Sequence, residues 1–310
     1  PSLVEVPVLP LARWWPELRT HGLAGVVQSA VFMSGSALMV RRIALDRGVG
    51  AGWRRIAVAC FALQPMIVLY GASGMSEAAE AFCLLWCVRH LMRWSDEGRT
   101  PDVAWAAIAL AVGYLGRYEV VPAALGAAVF ASMLAASRAG TGGRIATALG
   151  HGAIILFPVT VAAGLWAVTG WVVNNELFAT LTSRYGNENQ IAGAIQRGFV
   201  TSDPASMWVV IAGRLFGMQP FVGIAAAGAV AYAALARKPA ALVSVVIFGP
   251  VLAFAAWGQY TVTTFGLFRY FLLAIPMVVC IVLACWTPTG GPRPTWGAET
   301  PVSRLAAVLL

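Results

Sequence analysis

Charge is what this sequence has least of. Only 11% of its 310 residues are Asp, Glu, Lys or Arg, against about a quarter in an ordinary soluble domain. That scarcity excludes a water-soluble globule. The 59% hydrophobic content and a mean hydropathy of +0.77 point to an all-α, polytopic membrane protein. Lysine is nearly missing: Lys238 is alone among 21 basic residues, so the net charge of +8 is an arginine charge. The arginines flank apolar runs and form no single basic stripe, which argues against a nucleic-acid partner. Metal-binding cysteine spacing is also missing. Cys60, Cys83, Cys87, Cys280 and Cys285 all fall inside apolar runs, where a free thiol behaves as a small hydrophobe. No internal repeat of the kind that marks many transporters is evident.

What the chain has in abundance is apolar runs long enough to span hydrocarbon. About 17–25 such residues suffice, because only a helix satisfies its own backbone there. Nine stretches qualify as transmembrane or re-entrant helices: about 22–40, 56–72, 77–93, 103–116, 120–136, 145–173, 218–236, 240–257 and 267–286. The fourth and fifth meet at "GRYE" and read either as two tilted spans or as one re-entrant pair. Residues 1–21 then form an outer juxtamembrane segment, 22–286 the membrane domain with an outer loop at 174–217, and 287–310 an inner tail leading to a further span. The chain opens on Pro1 and closes on the apolar "RLAAVLL", so a fragment of a longer protein is expected.

Arginine placement sets the expected orientation in the cytoplasmic membrane. With the first span entering from outside, the inner connections collect 14 of the 21 basic and 5 of the 13 acidic residues. The inner face thus carries +9 and the outer face −1, as the positive-inside rule requires. The residues capable of chemistry fall on the outer face. In "LARWWPELRTHG", Trp14 and Trp15 suit a short interfacial helix. In "YGASGMSEAAEAF", Ser76 can cap a helix and Glu77 sits in its first turn, while Glu80 shares a face with Glu77 one turn deeper. A second acid on that face costs about 2.5–3.5 kcal/mol near the membrane midplane, which suggests a polar cavity. Arg117 and Glu119 in "GRYE" compensate each other at a helix break, or the arginine serves as a fork for phosphate at a cavity rim. Residues two apart pair poorly along a helix, which favours the second use. The connector from 174 to 204 is long for a structureless loop. Its centre, "SRYGNENQ", offers Arg184, Tyr185, Asn187 and Gln190 to sugar hydroxyls, and Gln259, Tyr260, Arg269 and Tyr270 complete the outer set.

The glutamate after "GM" in "GASGMSEAAE", the span ending in "GYLGRYEVVPA" and the later "LTSRYGNENQ" resemble bacterial GT-C superfamily glycosyltransferases, particularly the actinobacterial type. The motifs are short but occur in the family's order, from Pro1 to about Arg269. The resemblance implies a multispan enzyme that moves a sugar from a polyprenyl-phosphate donor to a glycan, lipid or protein acceptor outside the cytoplasmic membrane. In such enzymes a carboxylate of the first outer loop acts as base or metal ligand. "PSLVEVPVLP" resembles the segment after that loop, so the main base is expected upstream, Glu5 being a poor substitute and Glu77 the candidate within the chain. Arg117 and Arg269 are the expected contacts for donor phosphate, Glu80 and Glu119 cavity or structural residues, and Arg184, Tyr185, Asn187 and Gln190 contacts for sugar or acceptor. The cofactor is open: a divalent cation fits the family, but no ligand cluster of diagnostic spacing is present. The competing readings are a transporter with Glu77, Glu80 and Arg117 along its path, and a noncatalytic membrane scaffold.

Overall fold

The structure, a computed structural model, describes residues 9–140, 142–177, 187–196, 204–264 and 267–286. Two short helical segments, Leu9–Arg13 and Glu17–Thr20, precede the main helices. These are α1 (Leu23–Asp46), α2 (Ala51–Ala62), α3 (Pro65–Gly71), α4 (Glu77–Glu97), α5 (Thr100–Gly116) and α6 (Val120–Arg138). The remainder are α7 (Arg144–Asn174), α8 (Asn187–Gln196), α9 (Pro204–Met218), α10 (Val222–Ala236), α11 (Val243–Tyr260) and α12 (Ala274–Ala284). Among the described residues there is no strand.

Local chemistry places the breaks. Gln64 accepts a hydrogen bond from the Met66 amide at 2.8 Å, and Pro65 follows it at the first helical position, so α3 starts where α2 stops. Gly98, at φ +71°, ends α4 by returning its amide to the Trp94 carbonyl. The same left-handed geometry recurs at Gly74, φ +72°, where a Cβ would lie 3.3 Å from the backbone of Gly25 and Val26. Ser29 secures that turn by donating to the Met75 carbonyl at 2.9 Å.

Side-chain contacts fix the helix directions. Gly25 lies beside Gly74, and Asp46 beside Arg89, so α1 and α4 are parallel, with α2 and α3 forming the return between them. Trp86 meets Trp105 at 5.9 Å and His90 meets Asp102 at 2.7 Å, while Glu77 meets Arg117. Hence α4 and α5 are antiparallel. Arg138 at the end of α6 donates to the Ser95 carbonyl, and Ser132 donates to the Ala148 carbonyl at the start of α7. Helices α5 and α6 therefore each run from one end of the bundle to the other and are two separate helices meeting at residues 117–119.

Close approach uses small residues, as expected where hydrocarbon offers no hydrophobic drive between helices. At the α6–α11 crossing, a Cβ on Gly126 would fall on the Val246 carbonyl oxygen and lie 3.2 Å from Pro250. Pro250 sits inside α11 and has no N–H to give the carbonyl four residues earlier, which is that of Val246. The glycine backbone covers this carbonyl.

Four helical stretches are long and apolar enough to cross a membrane: Leu23–Asp46, Val120–Arg138, Arg144–Asn174 and Pro239–Tyr260. The count rises to six if two bent pairs each make one span, α2 with α3 (64°) and Met207–Met218 with α10 (76°). Thr100–Gly116 and Phe268–Ala284 are shorter apolar helices. Large apolar side chains stay exposed around the bundle, among them Leu63, Met133, Phe157, Val172 and Ile224. Such a surface suits lipid better than water.

Candidate functional site

The bundle has two chemically different ends. The connections α1–α2, α4–α5 and α6–α7 gather at one, where Arg47 pairs with Asp96 at 2.8 Å, Arg89 with Asp46 at 2.8 Å, and His90 with Asp102 at 2.7 Å. Arg99 contacts both Glu97 and Asp102. Every acid in this group has a basic partner. These are the connections expected on the inner side.

At the other end, α4 begins, α5 gives way to α6, and the segment 267–273 crosses over them. Helix α5 ends as Arg117 turns extended (φ −153°, ψ 132°), and α6 restarts at Val120 with Pro122 in its first turn. Arg117 and Glu119 thus lie in a break, not along one helix, and so they pair: Nη2 to Glu119 Oε1 is 2.6 Å. The spacing rule that argues against such a pair holds for continuous helix only. Arg117 also donates from Nη1 to Glu77 Oε1 at 2.6 Å, and its Nε lies 3.1 Å from Glu80 Oε2. One guanidinium thereby bridges three carboxylates, a use of its planar set of five donors that lysine cannot copy.

Ser76 does not cap α4. Its side chain makes no capping bond, and its hydroxyl instead accepts from Arg117 Nη1 at 3.4 Å. Arg269 arrives from the far part of the chain, its Nε 3.2 Å from Glu77 Oε1 and its Nη1 3.0 Å from the Met75 sulfur. The Tyr270 ring neighbours both guanidiniums, 5.6 Å from Arg117 Cζ and 5.5 Å from Arg269 Cζ, within cation–π range. Burial separates their roles. The side chains of Glu77, Glu80 and Arg117 are 3%, 6% and 9% exposed, that of Arg269 25%.

A cavity of about 670 Å³ opens beside this cluster. Arg117, Glu119, Arg269 and Ser76 form its polar end. Its remaining walls are mostly apolar or aromatic, including Tyr114, Tyr118, Leu125 and Phe254, with Ala163, Trp166 and Ala167 of α7. Glu77 and Glu80 do not reach it. They line a second space of about 20 Å³ between α4, α11, Thr264 and residues 269–273, roughly the room for one water.

The other expected residues lie elsewhere. Asn187 and Gln190 are on α8; Arg184, Tyr185 and Glu5 lie outside the described residues. Trp14 and Trp15 are exposed, as an interfacial segment requires. Gln259 is buried, with its amide nitrogen 3.6 Å from the Met207 sulfur, and Tyr260 stacks on Trp208 at 4.8 Å. Trp166, Tyr118 and Phe254 are cavity residues that the sequence reading missed, since an aromatic within an apolar run carries no signal of a cavity. The union of Glu77, Arg117 and Arg269 had a signal: ionisable residues in apolar spans seek opposite partners. Among the described residues no group of three or more His, Cys, Asp or Glu is placed to hold a metal ion. No family model, no curated protein and no solved structure matches the chain.

Proposed function

We propose that the chain is a multi-pass glycosyltransferase of the cytoplasmic membrane, moving a sugar from a polyprenyl-phosphate donor to an acceptor on the outer face. The observation that carries this reading is the cavity of about 670 Å³, apolar over most of its wall and cationic at one end. An amphiphile with an isoprenoid tail and a phosphate head has that chemistry. In this reading all nine apolar stretches are membrane segments, and the end bearing Arg117 and Arg269 faces outward, as the excess of arginines in the opposite connections favours.

Arg269 is the phosphate contact, being the more accessible guanidinium at the cavity. Arg117, held by three carboxylates, fixes the cavity's polar end. Glu119 is the acid that lines the cavity and is placed to accept bonds from sugar hydroxyls, while Glu77 orients both arginines. Arg184, Tyr185, Asn187 and Gln190 complete the sugar or acceptor contacts. Charge developing on the departing phosphate would be stabilised by the guanidinium at Arg269.

Binding and transfer of a radiolabelled polyprenyl-phosphate sugar test the proposal directly. Arg269→Ala should weaken donor binding about 10- to 100-fold, the worth of a charge-assisted hydrogen bond. Unchanged affinity in this variant removes the phosphate role. Orientation has its own test, in a background with the exposed Cys60 replaced. Cysteines at Gly52 and Gly140 should resist an impermeant thiol reagent in intact cells, and one at Gly116 should react; the reverse pattern would place the cavity on the wrong side for this donor.

A further inference from the structure

The buried cluster holds one acid too many. Glu77, Glu80 and Glu119 face Arg117 and Arg269, and among the described residues no other charged side chain lines the space of about 20 Å³ that they share. From α11 and residues 272–273 that space receives only Val251, Phe254, Ala255, Leu272 and Leu273. Tyr70 lies within electrostatic reach of Glu77, and Cys83 within that of Glu80, and neither supplies positive charge. Two carboxylate oxygens, Glu77 Oε2 and Glu80 Oε1, are fully buried without a hydrogen-bond partner. An uncompensated buried carboxylate costs several kcal/mol, and the usual escape is neutralisation.

The two orphan oxygens are not equivalent. Glu77 already contacts two guanidiniums through its other oxygen, at 2.6 and 3.2 Å, and Glu119 holds Arg117 at 2.6 Å. Glu80 has only the ion contact with Arg117 Nε at 3.1 Å, which is not a hydrogen bond. It is therefore the weakest-held acid of the three, and it lines a space with room for one water. We infer that the cluster is a proton-binding site: the carboxyl of Glu80 keeps a proton and donates a hydrogen bond through it to a water in the small cavity, making the five-residue cluster neutral overall. This inference does not rest on glycosyl transfer.

Infrared spectroscopy of the purified chain in lipid nanodiscs at neutral pH tests it. The wild type should show a protonated-carboxyl C=O band that shifts down in D₂O; Glu80→Gln should remove it, and Asp96→Asn, which changes an acid paired at the other end of the bundle, should keep it. Glu80→Gln, a neutral near-isostere, should melt close to the wild type, whereas Glu77→Gln, which removes the carboxylate that both arginines contact, should melt well below it. Absence of the band in wild type overturns the inference without need of any variant, as does its survival in Glu80→Gln. Stabilisation by sodium over choline at equal ionic strength, with no such band, would also overturn it, by assigning the added charge to a metal cation.

Discussion

Arg117→Ala should be the most damaging single substitution in the chain. Removing one partner of a buried ion pair costs about 3–5 kcal/mol, because the other charge stays behind in a medium that cannot solvate it. Here the arginine leaves three acids, two of them with side chains no more than 6% exposed. Arg269 can compensate only Glu77, which it already touches. Loss of most folded protein, or a fall of many degrees in melting temperature, is the expected result. Arg117→Lys should fall between, retaining charge but losing the fork. Because the residues interact directly, adding Glu119→Gln to Arg117→Ala should recover part of the loss, a non-additivity that a double-mutant cycle measures. An Arg117→Ala protein that melts with the wild type would mean that the cluster does not form.

The second large effect should come from a residue with no side chain. Gly126→Val places branched carbons where the Val246 carbonyl now sits, and even the Cβ alone would collide with it. Overpacking of this kind costs about 1–3 kcal/mol. The cost here should lie at the upper end, since the obstacle is backbone and cannot rotate away. Separation of α6 from α11 would also uncover a carbonyl that Pro250 deprives of its helical donor. Thermal unfolding in detergent reads the effect, with Gly140→Val as control, a position where a Cβ meets nothing. Equal melting of the two variants would show that the α6–α11 crossing is looser than its geometry.

Much of the fold was legible because hydrocarbon imposes simple rules. Each of the nine apolar stretches falls on helical residues, though only four helices, or six with the bent pairs, are long and apolar enough to cross a membrane, and the arginine-rich connections 41–55 and 89–102 meet at one end, where Arg138 also lies. The bends had a signal that apolar length outweighed: Pro65 and Pro220 stand at the two breaks, where a proline ends one helix or opens the next. The cluster's members were legible one by one, but their pairing was not. Glu77 and Arg117 are 40 residues apart, and Arg269 a further 152, so only the packing of α4 against α5 and the path of residues 267–273 could join them. Glu119 misled for a different reason: the i, i+2 argument assumes a helix that stops at Gly116.

Helix α7 has a consequence that reaches beyond the protein itself. Its 31 residues make a rod about 46 Å long, well over the roughly 30 Å of a bilayer's hydrocarbon. It is also the least covered of the four long apolar helices. A rod of that length must lean or protrude, and the amount is set by the thickness of the surrounding lipid. Ala163, Trp166 and Ala167, which wall the large cavity, ride on its far half. In a bilayer, a change in the tilt of α7 would move this wall, so acyl-chain length is expected to act on the site without touching it.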